Sequence, residues 1–518
     1  MDYKISMQTL PLSRRRFIAN AGLAALALRC EQLLSLADVS PAIVRTPLGT
    51  LRGEQYDGGM QFRGVPFAEP PVGPLRFRAP VPVRPWAGER DATRFGASAM
   101  QSGEPGIEHS EDCLYLNIWA PEGKGPFPVY VWIHGGGFTA GYAFESMYDG
   151  MEMTKEGILC ISVAYRLGVF GFLDLQPLLG AEYAGSANNG LRDLMAALEW
   201  IQKNISAFGG DPSRVTIGGE SAGAKLADIL MSVPSAQSLF HQVISESGGA
   251  ERVWNRAQSE SVAHGFGEHL RTRTKSDPAA MLTAPADTLI KAQQEFIGAW
   301  PQHFPLRCQI DGSLVPLRPV ESIGAGSSRG KRLLIGTNRD ESALFIGPHP
   351  QKDPMAADLG NLLPEKFTPV FKKYREVYPQ MSDEQLRIRA VTAEEYWIPT
   401  MRVVDAHLKG GGSAWVYRLD FSETGGFMRG YAFHSLDVRL VWNRPSPLAD
   451  NATAEAALAH QMYQAWIAFL HGQTPMAPGV PDWPEYDATT RPTMVFDTQN
   501  HVEQKPQEAE LRLWDGVL

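Results

Sequence analysis

Through the middle of the chain, short apolar runs alternate with stretches that have helical periodicity. Residues 129–133 and 158–163 are apolar runs bounded by Gly, which is typical of strands buried on both faces. Between 194 and 205 apolar residues recur at spacings of 4, 3 and 4, which predicts a helix that ends near Gly209. Further strands are predicted at 215–217, 243–245, 333–335, 415–419 and 494–496, and a helix at 222–231. This order predicts an α/β fold whose mostly parallel central sheet is flanked by helices.

Composition and charge narrow the class of protein. The 518 residues carry 48 Lys plus Arg against 57 Asp plus Glu, a net charge of −9, and no long basic run. Such a chain is a poor candidate for binding nucleic acid. No run of about 18 apolar residues occurs beyond the N-terminus, so stable membrane insertion is not expected. Gly and Pro are spread evenly, which favours one large domain over residues 38–518.

The cysteines are few and far apart. They are Cys30, Cys113, Cys160 and Cys308, and none forms a C-x-x-C pair. This excludes a disulfide scaffold and a cysteine zinc site. We expect free, buried thiols, and the sequence leaves a single disulfide open.

The N-terminus has the pattern of an export signal. Arg15 and Arg16 precede a mildly apolar stretch at 19–28, as in twin-arginine signals. A small residue at Ala37 offers a cleavage site, so residues 1–37 are predicted to be a signal peptide and the protein to be periplasmic or secreted. The alternative is an amphipathic helix that stays attached to a cytoplasmic protein.

The pattern G-x-S-x-G, typical of serine nucleophiles, occurs twice. Ser221 follows a predicted strand and precedes a predicted helix, which is the strand–turn–helix context that a nucleophile elbow requires. Ser328 precedes a strand but follows none, and we expect it to have no catalytic role. The flanking Gly219 and Gly223 fit so tight a turn because a side chain there would collide with the neighbouring elements.

A second glycine-rich segment follows the strand at 129–133. His134 is succeeded by Gly135, Gly136 and Gly137, whose bare backbone N–H groups can approach a developing oxyanion. The alternative is a flexible turn. Together with the elbow, which adds the N–H of Ala222, the run favours an oxyanion hole.

A serine nucleophile needs a histidine base and an orienting acid, which follow it along the chain in this fold type. The histidines beyond residue 335 are His349, His407, His434, His460, His471 and His501. His434 lies in a Gly-rich loop and is favoured, whereas His407, His460 and His471 have helical surroundings that predict solvated surface positions. Asp340 and Glu341 both follow the strand at 333–335, and the pattern does not choose between them.

At this point the residues resemble the type-B carboxylesterase and cholinesterase family of α/β-hydrolases over roughly 42–500. The segments that carry the resemblance are FRGVPFAEPPVGPLRF at 62–77, EDCLYLN at 111–117, YRLGVFGF at 165–172 and GESAG at 219–223. The resemblance implies the α/β-hydrolase fold, with long loops over the active site. The residues that it implies for the site are Ser221, Glu341 and His434 as the catalytic triad, Gly136, Gly137 and Ala222 as oxyanion donors, and Ser247 as support for the acid.

The chain also departs from that family. Met100 stands where a partner for the family's cysteine is usual, so Cys113 is expected to be unpaired. No tryptophan lies between Trp86 and Trp119, so cation–π recognition of choline is not supported.

The sequence therefore predicts a serine ester hydrolase that acts on a small-molecule ester through an acyl-enzyme, with no metal or organic cofactor. His264 and His269, with Glu268 between them, fit no helical zinc pattern. The alternatives are an acyltransferase or amidase with the same triad, and a non-catalytic binding module of the same fold. Phe138, Tyr396 with Trp397, Trp300 and Trp442 are candidate pocket residues that equally suit the core. The natural ester and the oligomeric state are left open.

Overall fold

The computed structural model describes residues 40–103, 106–346, 362–446 and 449–517. The predicted signal peptide at 1–37, Cys30 and His349 lie outside these residues, so what the sequence predicts for them stays a prediction. No helix of the described ranges is both long and apolar enough to span a membrane.

Thirteen strands of the described part form one central sheet, and two short pairs stand apart from it. In chain order the strands are β1 Pro41–Thr46, β2 Gly49–Tyr56, β3 Gly59–Pro66, β4 Glu89–Asp91, β5 Ser98–Ala99, β6 His109–Ser110, β7 Tyr115–Pro121, β8 Phe127–Ile133, β9 Leu159–Val163, β10 Gly210–Glu220, β11 Gln242–Glu246, β12 Val253–Trp254, β13 Cys308–Gln309, β14 Arg332–Asn338, β15 Ser413–Leu419, β16 Pro492–Phe496 and β17 His501–Gln504.

The central sheet runs in the order β1-β2-β3-β7-β9-β8-β10-β11-β14-β15-β16-β17, with β4 paired to β2. From β9 to β16 every neighbouring pair is parallel, and the strands that continue the sheet beyond both ends pair antiparallel, except β4, which is parallel to β2. The mostly parallel α/β sheet expected from the sequence is confirmed.

Helices connect the parallel strands and cover both faces of the sheet. They are α1 Met151–Lys155, α2 Gly168–Phe172, α3 Gln176–Leu179, α4 Asn189–Asn204, α5 Ala222–Leu230, α6 Arg256–Thr274, α7 Ala286–Ala299, α8 Pro319–Ser322, α9 Ala343–Ile346, α10 Pro364–Val377, α11 Asp383–Thr392, α12 Ile398–Lys409, α13 Leu436–Val441, α14 Ala452–Leu470 and α15 Glu508–Leu513. A π-helical turn, Ala393–Trp397, joins α11 to α12.

Two hydrophobic cores explain why the parallel strands are apolar throughout. Side chains alternate across a strand, so successive residues face opposite sides of the sheet. In β8, Val129 and Val131 belong to one core, whereas Tyr130 and Trp132 belong to the other. Strands buried on both faces need continuous apolar runs, which is the pattern that the sequence shows.

The parallel register brings the carboxyl ends of successive strands to one edge. Ile133 of β8 pairs with Gly219 of β10, and Glu246 of β11 pairs with both Glu220 of β10 and Gly336 of β14. The turns that leave these strands therefore emerge side by side. In open α/β sheets this edge is where ligands bind.

Candidate active site

Ser221 lies at a sharp turn between β10 and α5. Its backbone has φ 57° and ψ −123°, a left-handed conformation that is strained for a residue with a side chain. A Cβ on Gly219 would come within 2.3 Å of the Ile133 carbonyl oxygen, and one on Gly223 within 2.0 Å of the same atom. The flanking glycines are required because neighbouring backbone fills the space. The serine is thus held in an elbow above the sheet edge.

Glu341 and His434 meet across two turns at the same edge. Glu341 follows β14, and its Oε2 lies 2.6 Å from Nδ1 of His434, which lies two residues before the start of α13. Ser247 Oγ donates to Glu341 Oε1 at 2.5 Å, and the Asn338 N–H donates to the same oxygen at 2.7 Å. Asp340, the other acid that the sequence left open, instead pairs with its neighbour Arg339.

The other nitrogen of His434 faces a second carboxylate. Its Nε2 lies 3.0 Å from Oε1 of Glu220, which also accepts a 2.6 Å hydrogen bond from Ser435 Oγ. No hydrogen bond joins His434 to Ser221 among the contacts of the described residues, although both side chains line one cavity. His434 is therefore held between two carboxyl groups in this state.

Burial governs the protonation of this cluster. Desolvation lowers the pKa of His434 below 6.5, although the charges of Glu220 and Asp437 act in the opposite direction. Desolvation also raises the pKa of Glu341, against the hydrogen bonds from Ser247 and Asn338, and raises that of Glu220 to about 7. A neutral imidazole is thus favoured at neutral pH, which suits a general base.

The glycine run after β8 folds back beside the elbow. Gly136 has φ 103° and Gly137 φ 61°, and a Cβ on Gly136 would lie 2.1 Å from the Ala140 carbonyl oxygen. Among the hydrogen bonds of the described residues, none uses the N–H of Gly136, Gly137 or Ala222 as donor. These three N–H groups belong to residues that line one cavity together with Ser221 and His434, so they are available to an oxyanion.

One cavity of about 380 Å³ contains these groups, and we call it the catalytic cavity. Its lining residues are Gly136, Gly137, Phe138, Glu220, Ser221, Ala222, Lys225, Arg252, Phe304, Phe345, Tyr396, His434 and Ser435. A second, more polar cavity of about 340 Å³ shares Gly136, Glu220 and Ser435 with it. Phe138 and Tyr396 were candidates from the sequence, whereas Lys225, Arg252, Phe304 and Phe345 were missed.

Backbone strain is concentrated around this cavity. Eleven non-glycine residues of the described ranges have positive φ. Five of them line the catalytic cavity or contact Glu341: Phe138, Ser221, Ser247, Phe304 and Ser435. Such residues persist only where surrounding structure fixes them, and they cluster at functional sites.

The second G-x-S-x-G serine is buried in another part of the molecule. Ser328 Oγ lies 2.7 Å from Nδ1 of His407, whose Nε2 lies 3.1 Å from the Lys331 carbonyl oxygen. Neither Ser328 nor His407 has any exposed surface, so no substrate can reach the pair. The expectation of a solvated surface position for His407 is wrong, because α12 packs this face against the turn that contains Ser328. His460, in contrast, is exposed.

The remaining candidates lie outside the catalytic cavity. Trp442 is packed in the core with Trp132, and Trp300 packs on Phe296. Trp397 lines a different, very small cavity. No group of three or more His, Cys, Asp or Glu side chains in the described ranges is placed to hold a metal ion.

The described cysteines fit the expectation of free thiols. Cys113, Cys160 and Cys308 are buried and unpaired. Met100 lines the same small cavity as Cys113, at the place where a partner cysteine was missing from the sequence. Cys113 is thus covered by apolar packing instead of being crosslinked.

A glycine-flanked serine in a strand–turn–helix elbow, at the carboxyl edge of a doubly covered, mostly parallel sheet, is the geometry of an α/β-hydrolase. The model of the carboxylesterase family matches residues 40–514. The chain belongs to the carboxylesterase family, and it is a carboxylic ester hydrolase.

Similarity to individual relatives extends over almost the whole chain. It is 35% identical to the para-nitrobenzyl esterase of Bacillus subtilis (strain 168), over 90% of this chain and 96% of that protein. It is 33% identical to the fumonisin B1 esterase of Sphingopyxis macrogoltabida, over 89% of this chain and 87% of that protein. A solved structure of a PNB esterase superposes with a TM-score of 0.81 at 33% identity, covering 92% of this chain and 100% of that one.

Proposed function

We propose that the protein hydrolyses small carboxylic esters by two-step acyl transfer through a Ser221–His434–Glu341 triad. Ser221 attacks the ester carbonyl while His434 Nε2 takes its proton, and the collapsing intermediate expels the alcohol, which receives that proton. A water molecule then attacks the acyl-enzyme by the same route and releases the acid. Glu341 holds the imidazole in the tautomer that carries a proton on Nδ1 and stabilises its charged form.

The observation that carries this proposal is the 2.6 Å contact between Glu341 and His434, whose side chain lines the cavity that contains the Ser221 elbow. Three unused N–H groups, those of Gly136, Gly137 and Ala222, belong to residues that line the same cavity and suit the oxyanion of a tetrahedral intermediate. Loss of one such donor typically raises the barrier by about 3 kcal/mol.

The contact between His434 and Glu220 requires one rearrangement. Nε2 must turn from Glu220 towards Ser221 Oγ before it can accept the proton. Catalytic hydrogen bonds are often long or misdirected in unliganded enzymes and form only with substrate bound. Ser435 holds Glu220 through its own hydrogen bond, so the carboxyl keeps a partner when the imidazole leaves.

Hydrolysis of a p-nitrophenyl ester series from acetate to dodecanoate, with Ser221→Ala beside the wild type, tests the proposal. We expect Ser221→Ala to lower kcat by about 10⁴-fold or more, since the triad acts as a unit. The matched control is Ser328→Ala, which removes a serine from the same sequence pattern, also close to a histidine, and should leave kcat unchanged. Equal activity in Ser221→Ala and the wild type would refute Ser221 as the nucleophile.

A further inference from the structure

Two cations are buried in the wall of the catalytic cavity. Lys225 and Arg252 are each only 3% exposed, and both line it. Lys225 lies on α5, where its N–H donates to the Ser221 carbonyl oxygen at 2.9 Å, one helical turn beyond the nucleophile. Neither cation has a part in the acyl transfer described above. Burying a charge is costly unless a partner compensates it, so their partners decide what they do.

The ammonium of Lys225 is incompletely compensated. Its Nζ donates to the Gly248 carbonyl oxygen at 2.6 Å and has a marginal contact of 3.5 Å with that of Glu395. Within the described residues it has no carboxylate oxygen within 4.0 Å. An ammonium has three donors, so at least one is unused and no full negative charge neutralises it locally. Burial lowers the pKa of Lys225 well below 10.5, although the charges of Asp228, Glu341 and Glu220 act in the opposite direction, so an anion bound beside Nζ would favour its charged form.

Arg252 adds a second, more permanent positive charge. Burial lowers its pKa to about 10, so it remains protonated at neutral pH. It forms an ion pair with Glu395 of the π-helical turn, and its Nε has no hydrogen-bond partner. Its guanidinium lies 4.2 Å from the centroid of the Phe304 ring, which packs against Gly137.

Both cations are one aromatic ring away from the catalytic groups. The Tyr396 ring lies 4.6 Å from Lys225 Nζ and 4.7 Å from the His434 ring centroid. Phe304 likewise contacts both Arg252 and Gly137. The cavity therefore combines Glu220 and His434 with two basic side chains that lie against the Tyr396 and Phe304 rings. A substrate with its ester at Ser221 and an anion a few atoms away would match this arrangement of charges.

We propose that the catalytic cavity takes esters that carry a second, ionised carboxylate, which Lys225 and Arg252 bind; this rests on the proposed function and names its substrate class. The carboxylate fills the unused donors of Lys225 with charge-assisted hydrogen bonds. This second carboxylate belongs to either the acyl part or the alcohol part of the ester, and the experiment below distinguishes the two. The competing explanation for the buried lysine is purely structural: Lys225 only fixes the Gly248 backbone through its hydrogen bond to the carbonyl oxygen.

Lys331 provides a matched control for that explanation. It is also a buried lysine, with Nζ donating to the carbonyl oxygens of Gln237 and Phe240 and lying 4.3 Å from the Phe240 ring centroid. It does not line the catalytic cavity. Lys225→Met and Lys331→Met therefore make the same chemical change in similar surroundings, and differ in access to substrate.

The experiment compares kcat/KM for pairs of anionic and neutral esters. The acyl pair is the p-nitrophenyl monoester of adipate against p-nitrophenyl heptanoate; the alcohol pair is p-acetoxybenzoate against p-tolyl acetate. We expect the wild type to have a higher kcat/KM for the anionic ester in one of the two pairs. That pair shows whether the acyl part or the alcohol part of the substrate carries the second carboxylate. In that pair, Lys225→Met should lower the anionic-to-neutral ratio by about 10-fold or more, since hydrogen bonds to charged groups are among the stronger ones. Lys331→Met should leave it unchanged.

Preference for the neutral ester in both pairs, or the same ratio in Lys225→Met as in the wild type, overturns the proposal. Calorimetric binding of adipate to wild type and Lys225→Met gives a second readout that needs no turnover. Binding weakened in Lys225→Met supports the anion site, and no binding to wild type overturns it. If no ester is cleaved but adipate binds, the proposed hydrolysis fails while the anion site stands.

Discussion

Removal of the Ser247 hydroxyl tests how the acid of the site is kept charged. Ser247 Oγ donates at 2.5 Å to Glu341 Oε1, and both side chains are fully buried. Burial already raises the pKa of Glu341, and this hydrogen bond opposes that rise. In Ser247→Ala the ionised carboxylate loses a donor that the neutral acid needs far less. We therefore expect a higher pKa for Glu341 in the variant.

The size of the effect follows from the strength of that hydrogen bond. A hydrogen bond to a charged group contributes about 1.5–3 kcal/mol, which corresponds to roughly 1–2 pKa units at 1.36 kcal/mol per unit. In the proposed mechanism the active state needs an ionised Glu341 and a neutral His434, so the acid limb of kcat/KM should move to higher pH by that amount. Near the acid limb the variant should be roughly 10–100-fold less active, and this loss should shrink as pH rises.

A pH profile of p-nitrophenyl acetate hydrolysis measures this shift, with Ser245→Ala as its control. Ser245 lies two residues earlier on β11 and donates at 2.9 Å to Asp228, another buried carboxyl outside the triad. Ser245→Ala should cost comparable stability without moving the acid limb. An unshifted profile in Ser247→Ala, or an equal shift in both variants, would show that the reasoning about Glu341 is wrong.

Two further outcomes are expected. Gly136→Ala should lower kcat by about 10²-fold, because the added Cβ would meet the Ala140 carbonyl oxygen and displace the loop that is proposed to hold the oxyanion. The control is Gly123→Ala, at a glycine with the same φ of 103° and no atom within 4 Å of the added Cβ, which should keep the wild-type kcat. Equal losses in the two variants would contradict this prediction. Burial raises the pKa of Asp228 to about 7, so the stability that its neutral form contributes at low pH is lost as pH rises through about 7. Asp228→Asn keeps an oxygen that accepts from Ser245 and from the Gly249 N–H but cannot ionise. The melting temperature of the variant, relative to that of the wild type, should therefore rise between about pH 4 and pH 8. A difference in melting temperature that does not change with pH would contradict this assignment.

The elbow and its neighbourhood were predictable because their determinants are local. A strand, a tight glycine-flanked turn and a helix around Ser221 can be inferred from consecutive residues. The parallel register then forces the turns after β8, β10 and β14, which carry Gly136, Ser221 and Glu341, to one edge of the sheet. Asp340 and Glu341 could not be separated by pattern alone, because adjacent residues in a turn point in directions that only the fold fixes.

Groups whose role depends on distant segments could not be predicted in this way. Helical periodicity places His407 on a helix but does not say that the turn at Ser328 covers it. The position of Lys225 near the site could have been predicted from the sequence. It follows Ser221 by four residues, which is about one turn of α5 and therefore the same side of the helix. Its burial, however, depends on Tyr396, and that of Arg252 on Phe304, which come from remote parts of the chain.

The left-handed backbone around the catalytic cavity limits how this protein can be made more heat-resistant. Non-glycine residues in that conformation carry roughly 1–2 kcal/mol of strain each, so replacement by glycine at Lys275 or Lys505, away from the cavity, should raise the melting temperature. The same rule applied to Phe304 or Ser435 would loosen the walls that orient the reacting groups. An engineer who ranks positions by backbone angle alone would raise thermal tolerance at the expense of turnover, so the search has to exclude the cavity.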